Sequence, residues 1–139
     1  MKTLMLGNDE WIASWTNTHF GYGGPGKYDM AMGIIHDNEL VGSVMFHAYN
    51  GHDVELSIYG PNSLDLGIVR KIVRLAVDQL GVSRITVRTA RNNKTMTRGI
   101  TKLGWEYEGI RHCAYGEYDA VMYGLYGKKL MRLAGKVMQ

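Results

Sequence analysis

Between Asp53 and Trp105 the hydrophobic period switches four times, and few folds accommodate that series. Val54, Leu56 and Ile58 alternate with Asp53, Glu55, Ser57 and Tyr59, which is the period-2 signature of a strand with one buried face. Gly60-Pro61 breaks the strand, and the following residues predict a helix over Asp65–Leu80. Its stripe is Val69, Ile72, Val73, Ala76 and Leu80, with Arg70, Lys71, Arg74 and Asp78 off it. Gly81 suits the end of that helix. Arg84–Ala90 alternates again, a cap at Asn92 or Asn93 opens a second helix to Leu103, and Gly104 closes it before a strand over Trp105–Ile110. A loop that leaves a strand and enters a helix presents free N–H groups and a helix dipole at one point, so it is a ready anion site.

The flanks complete the pattern. Asn8 or Asp9 can cap a helix over Glu10–Thr18, with Trp11, Ile12 and Trp15 on its apolar side. A glycine-rich stretch from His19 to Lys27 follows, with four glycines between Gly21 and Gly26; it reads as a connector, with a hinged flap as the other possibility. It is not a nucleotide phosphate loop, because no strand precedes it and no Gly-Lys-Ser/Thr ends it. Met30–His36 and Glu39–Tyr49 form a hairpin through Asp37-Asn38, Asn50-Gly51 turns the chain into Asp53–Tyr59, and a last strand spans Asp119–Tyr126. The expected architecture is mixed α+β: a central, mostly antiparallel twisted sheet with helices on both faces.

The chain of 139 residues, 45% apolar, is sized for one domain, 1–126, followed by a basic amphipathic tail, 127–139. In the tail Leu130, Leu133, Ala134 and Val137 form a helical stripe suited to docking on the sheet or to a homodimer contact. No apolar run approaches the roughly 18 residues of a membrane span. The first ten residues turn acidic too early for a signal peptide, and one cysteine, Cys113, suits a reducing compartment, so a cytoplasmic setting is expected.

The net charge of +3 is unevenly distributed. Residues 1–69 carry two lysines against eight acids, whereas residues 70–102 carry nine Lys/Arg against Asp78 alone. The basic block could serve a polyphosphate ligand or nucleic acid, or be a solvated face. Against nucleic acid, no aromatics interleave with those arginines. The five histidines show no ligand spacing, which argues against zinc. Cys113 and its neighbour His112 would point to opposite faces of a strand and so make a poor nucleophile pair. The nine methionines read as core filler.

Three segments together resemble the GCN5-related N-acetyltransferase (GNAT) superfamily, which moves an acyl group from acyl-CoA to an amine. They are D-V-E-L-S-I-Y-G-P-N-S-L-D-L-G-I-V-R-K-I-V, N-N-K-T-M-T-R-G-I-T-K-L-G-W-E-Y-E-G-I and Y-D-A-V-M-Y-G-L. The resemblance covers residues 30–126, and short members of this kind occur in phage genomes. It implies acetyl-CoA as co-substrate and an amine of a small molecule or protein as acceptor. The pyrophosphate would lie on the backbone of Ser63, Leu64, Asp65, Leu66, Gly67, Ile68 and Val69, with Arg70, Lys71 or Arg74 near the 3′-phosphate. The pantetheine arm would pair along the strand near Ile58 and Tyr59, within reach of Asn92 or Asn93. Glu55 would be the general base.

The departures are specific. Of the family's Arg/Gln-x-x-Gly-x-Gly/Ala loop, the matching positions hold Leu64, Gly67 and Val69, and Asp65 adds a negative charge within it. Ile100 stands where many members have a tyrosine acid. Tyr59, Tyr107 and Tyr115 are the tyrosines that could replace it, and Glu55 with Tyr59 are carried as the catalytic pair. The other readings are a GNAT-like scaffold that binds without catalysis, as in virion assembly, and a nucleic-acid-binding domain.

Overall fold

The computed structural model describes residues 1–20, 27–60 and 64–136. The glycine run 21–26, Ser63 and Val137 of the sequence reading lie outside them. Seven strands form one sheet in the order β1-β2-β3-β4-β5-β7-β6. They are β1 (Lys2–Met5), β2 (Met30–His36), β3 (Glu39–His47), β4 (Asp53–Tyr59), β5 (Arg84–Ala90), β6 (Glu106–Tyr115) and β7 (Tyr118–Tyr126). The helices are α1 (Asp9–Phe20), α2 (Leu66–Leu75, continued by a wider π turn over Ala76–Leu80), α3 (Lys94–Leu103) and α4 (Gly127–Leu133). Every strand pair is antiparallel except β4 with β5. This is the expected α+β architecture.

Alternation along the central strands divides the apolar residues between two layers. Val44 and Phe46 of β3, Val54 and Leu56 of β4, and Ile85 and Val87 of β5 meet Ile68, Val69, Ile72 and Val73 of α2, and Ile100 of α3, in the larger core. Burying each such side chain contributes about 1.5–3 kcal/mol, so the four residues on the inner side of α2 anchor it firmly. On the opposite face Met45 and Ala31 meet Ile12 and Ala13 of α1. Beneath α1, Thr16 donates to the Ile12 carbonyl at 2.7 Å and pairs with Ser43 at 2.5 Å. Because the Thr16 proton is committed to Ile12, Ser43 is the donor in that pair, and both buried hydroxyls are satisfied.

Several expectations are corrected. β1 is an extra edge strand paired with β2. Trp11 is 56% exposed, and the buried side of α1 is Ile12, Ala13 and Thr16. Ile12 rests close on Gly33, where an added Cβ would lie 3.0 Å from its side chain, and Trp11, one residue earlier, is turned about 100° around the helix from it. β3 stops at His47, because Ala48 turns to φ +51°. β6 extends to Tyr115 through register shifts. The tail helix α4 buries Leu130, Leu133 and Ala134 in the larger core, and Arg74 of α2 donates to the Ala134 carbonyl at 3.1 Å.

Candidate active site

The only parallel pairing among the described residues sets the geometry. β4 and β5 run in register for three residues, Asp53–Glu55 against Arg84–Thr86, and then part. Each strand stays bonded to its own half of the sheet: Leu56–Tyr59 remain on β3, and Val87–Ala90 remain on β7. The closed end is fastened by side chains. Thr86 donates to Asp53 at 2.9 Å, and Arg84 bridges Asp53 and Glu108. The Glu108 hydrogen bond raises the Arg84 pKa above its ordinary value despite partial burial.

Beyond this clasp, β4 has no β5 partner over Leu56–Ile58 among the described residues, so alternate N–H and C=O groups are presented to a ligand. The wedge contains an inner chamber of about 260 Å³ lined by Leu56, Ile58, Val87, Ile100 and Trp105, among others. An outer chamber of about 700 Å³ continues it and shares Ile58, Tyr59, Leu64, Asn93 and Met96 with it. An apolar slot beside an unpaired backbone edge suits an extended, amide-containing chain. Gly99, a weak residue in a helix interior, is explained here: a Cβ would collide with the Leu64 side chain, which closes one wall.

The residues singled out from the sequence distribute unequally around this cleft. Ile58, Tyr59, Leu64 and Asn93 line both chambers. Asn93 also caps α3, its Oδ1 accepting from the Met96 amide at 3.2 Å, while Asn92 is exposed in the preceding turn. Glu55 sits at the last paired position of β4, at the foot of the wedge. Its carboxylate is 3.8 Å from Arg88 Nη2 and the side chain is 28% exposed. Of the tyrosines, Tyr59 and Tyr115 line the cleft, whereas Tyr107 packs edge-on against Tyr123. Ile100, in the place of the family's tyrosine, is buried.

Tyr115 reaches the cleft because β6 bulges. Its register shifts between Arg111 and Tyr115, and Cys113 takes φ +57°. Asp119 holds that bulge, accepting from the Cys113 amide at 3.0 Å and lying 3.3 Å from His112 and 3.4 Å from Arg91. The Cys113 amide, the largest influence, keeps the Asp119 carboxyl below its ordinary pKa. The local sequence around Cys113 does not reveal this. The signal lies in pairing across β7.

The anion end is built differently from the family pattern. Asp65 is the N-cap of α2, and its Oδ1 accepts from the Gly67 amide at 2.7 Å and the Ile68 amide at 3.3 Å. Val69 N–H is taken by the Asp65 carbonyl at 3.0 Å. Leu66 opens the helix with its side chain exposed. The cations expected near a phosphate are largely engaged elsewhere. Lys71 donates to the Lys2 carbonyl at 2.9 Å, and Arg74 is tied to Ala134; Arg70 stays exposed on a groove with Lys71, Arg74 and Gly135. In the basic block, Arg84, Arg88 and Arg91 also face acids. Five of the nine cations of the block are engaged in this way, and Arg70, Lys94, Arg98 and Lys102 remain exposed.

The same architecture occurs in solved acetyltransferases. Mutant forms of the spermidine/spermine N-acetyltransferase SpeG from Vibrio cholerae superimpose over 95% of this chain and 98% of theirs, with TM-score 0.75 and 13% identity. The fold is the GNAT fold. A GNAT-family acetyltransferase from Bacillus anthracis (TM-score 0.59, 18% identity) matches 69% of this chain, and the N-acetyltransferase PseH from Campylobacter jejuni (0.60, 12%) matches 70%. The chain spans 65% of the Bacillus anthracis protein, just under two thirds, and 67% of PseH. No protein-family model matches the chain, and no curated protein sequence does. Among the described residues no helix is long and apolar enough to cross a membrane, and no group of three or more His, Cys, Asp or Glu could hold a metal ion.

The GNAT fold implies acyl-CoA, and the residues fit it in part. The free edge of β4 and the apolar slot suit the pantetheine arm and its thioester. The N–H groups at the start of α2, which would receive the diphosphate, are held by the carboxylate of Asp65. Two anions at one helix terminus repel each other at close range.

Proposed function

We propose that this chain is an N-acyltransferase that moves an acyl group, acetyl in the simplest case, from a thioester to an amine of a small molecule or protein. The observation that carries the reading is the parting of β4 and β5 above an apolar chamber, with the backbone of Leu56–Ile58 beyond the reach of β5. The GNAT fold shared with SpeG and PseH supports it.

The chemistry follows from the placement. An arm laid along β4 hydrogen-bonds to its free edge, and Asn93 Nδ2 donates to an arm carbonyl while Oδ1 remains on the cap. This fixes the thioester carbonyl in the inner chamber and excludes water from it. The amine nitrogen attacks that carbonyl, a C–N bond forms, and collapse of the tetrahedral species breaks the C–S bond. The ammonium proton passes to the carboxylate of Glu55 through water, the leaving thiolate takes a proton from Tyr59, and Tyr59 regains one from the nitrogen of the tetrahedral species as the amide forms. The products are an amide and a thiol. Arg88, paired with Glu55, holds the carboxylate in place at the foot of the wedge.

The acid-rich N-terminal half favours a cationic acceptor by long-range attraction. Spermidine, an amine acetylated by SpeG, therefore belongs in the test panel with lysine peptides. Incubating the purified chain with S-acetylpantetheine or acetyl-CoA and this panel should yield acetylated amine by mass spectrometry together with free thiol. Absence of both products with every donor and acceptor would contradict the proposal and favour a binding scaffold.

A further inference from the structure

The diphosphate end of the cleft is where the chain departs from its fold relatives, and this concerns the donor of the reaction proposed above. At the start of α2, Asp65 Oδ1 accepts from both the Gly67 and Ile68 amides. This is the contact a phosphate oxygen would make with the same two donors. Gly67 makes the approach possible: a Cβ there would lie 3.1 Å from Asp65 Oδ1. The glycine that resembles the family's phosphate-loop glycine thus accommodates the chain's own carboxylate. Two of the three nearby cations on α2 are also committed, Lys71 to the Lys2 carbonyl and Arg74 to the Ala134 carbonyl. At the arm end of the cleft, by contrast, β5 has parted from β4 along Leu56–Ile58.

We infer that Asp65 acts as a built-in anion occupying the diphosphate position, so that the cleft selects an acyl-pantetheine thioester lacking the nucleotide diphosphate. This inference rests on the thioester-transfer reading and narrows its donor. A free acylated pantetheine or the same arm attached to a carrier protein carries the required chemistry. In both, the thioester, the two amides and the apolar links reach the inner chamber; the free thioester brings no phosphate to Gly67, and the carrier-bound arm brings one phosphodiester charge in place of the diphosphate. Nucleotide-bearing donors must either displace the Asp65 carboxylate or bind with their diphosphate in solvent, and so gain nothing from it.

The test compares ligands on the whole chain by calorimetric titration. Wild type should bind S-acetylpantetheine and acetyl-CoA with dissociation constants within about threefold of each other, a difference smaller than one hydrogen bond to a charged group. Asp65→Asn retains a capping oxygen and removes the charge, and Asp65→Ser retains a shorter cap. In either variant acetyl-CoA should tighten by about ten- to a hundredfold, the range of a hydrogen bond to a charged group. S-acetylpantetheine should not change. An acetylated holo-carrier protein offered to wild type separates the two sources: binding tighter than S-acetylpantetheine assigns the arm to a carrier, and equal binding assigns it to the free thioester. Wild type binding acetyl-CoA at least about tenfold more tightly than S-acetylpantetheine, the gain of one productive phosphate contact, would overturn the inference and leave thioester transfer standing. So would an unchanged ratio in both variants. Failure of wild type and both variants to bind any of the thioesters would overturn the transfer reading itself.

Discussion

Trp105→Ala should lower the stability of the fold by about 3–5 kcal/mol, as expected for loss of a fully packed aromatic side chain. Trp105 is 2% exposed, lines the inner chamber beside Val87 and Ile100, and donates from Nε1 to the Ile85 carbonyl at 3.1 Å. It therefore joins the α3–β6 turn to β5, the strand that forms one wall of the cleft. Truncation removes this packing and leaves a buried carbonyl without its donor. For a domain of this size the change corresponds to a melting-temperature decrease of about 10–20 °C. Trp105→Phe retains most of the volume and should lose only about 1–3 kcal/mol, the cost of the unsatisfied acceptor. Denaturant unfolding monitored by circular dichroism reads both. A Trp105→Ala protein within about 1 kcal/mol of wild type, the effect of an ordinary point substitution, would contradict the packing described.

Glu55→Gln should reduce kcat for acyl transfer by about 10²- to 10⁴-fold, the contribution of a positioned general base. Donor affinity should hold, because Glu55 lies at the foot of the wedge and does not line the chambers that receive the arm. The substitution removes the carboxylate but keeps its shape, and the exposed Arg88 loses only a partner at 3.8 Å. Folding should therefore change little, since partly exposed ion pairs contribute about 0–1 kcal/mol. Unchanged turnover in Glu55→Gln would remove it from the reaction.

The sequence was legible where local period and local chemistry decide the outcome. Alternation in Asp53–Tyr59 and Arg84–Ala90 predicts β4 and β5, and Asn93 and Gly104 bound α3 as capping rules require. The wedge was legible only as an implication of element order, since the point at which β4 and β5 part depends on pairing across the whole sheet. β1 escaped notice because four residues at an edge take their conformation from β2. A large apolar residue such as Trp11 suggests burial, yet the face of α1 that meets the sheet is that of Ile12, Ala13 and Thr16.

At the site, the choice between Asn92 and Asn93 needed cap geometry, and the engagement of Lys71 and Arg74 needed partners 69 and 60 residues away. The negative charge of Asp65 was visible in the sequence. Its position on the Gly67 and Ile68 amides was not.

Amide chemical-shift mapping during titration with S-acetylpantetheine tests the central claim, that the parted strands receive a thioester arm. The largest changes should fall on Leu56, Ser57, Ile58, Tyr59 and Asn93, with hydrogen-exchange protection rising along β4. Gly67 and Ile68, already bonded to Asp65, should remain nearly still. Saturable binding that leaves Leu56–Tyr59 unshifted, or no binding at millimolar ligand, would contradict it.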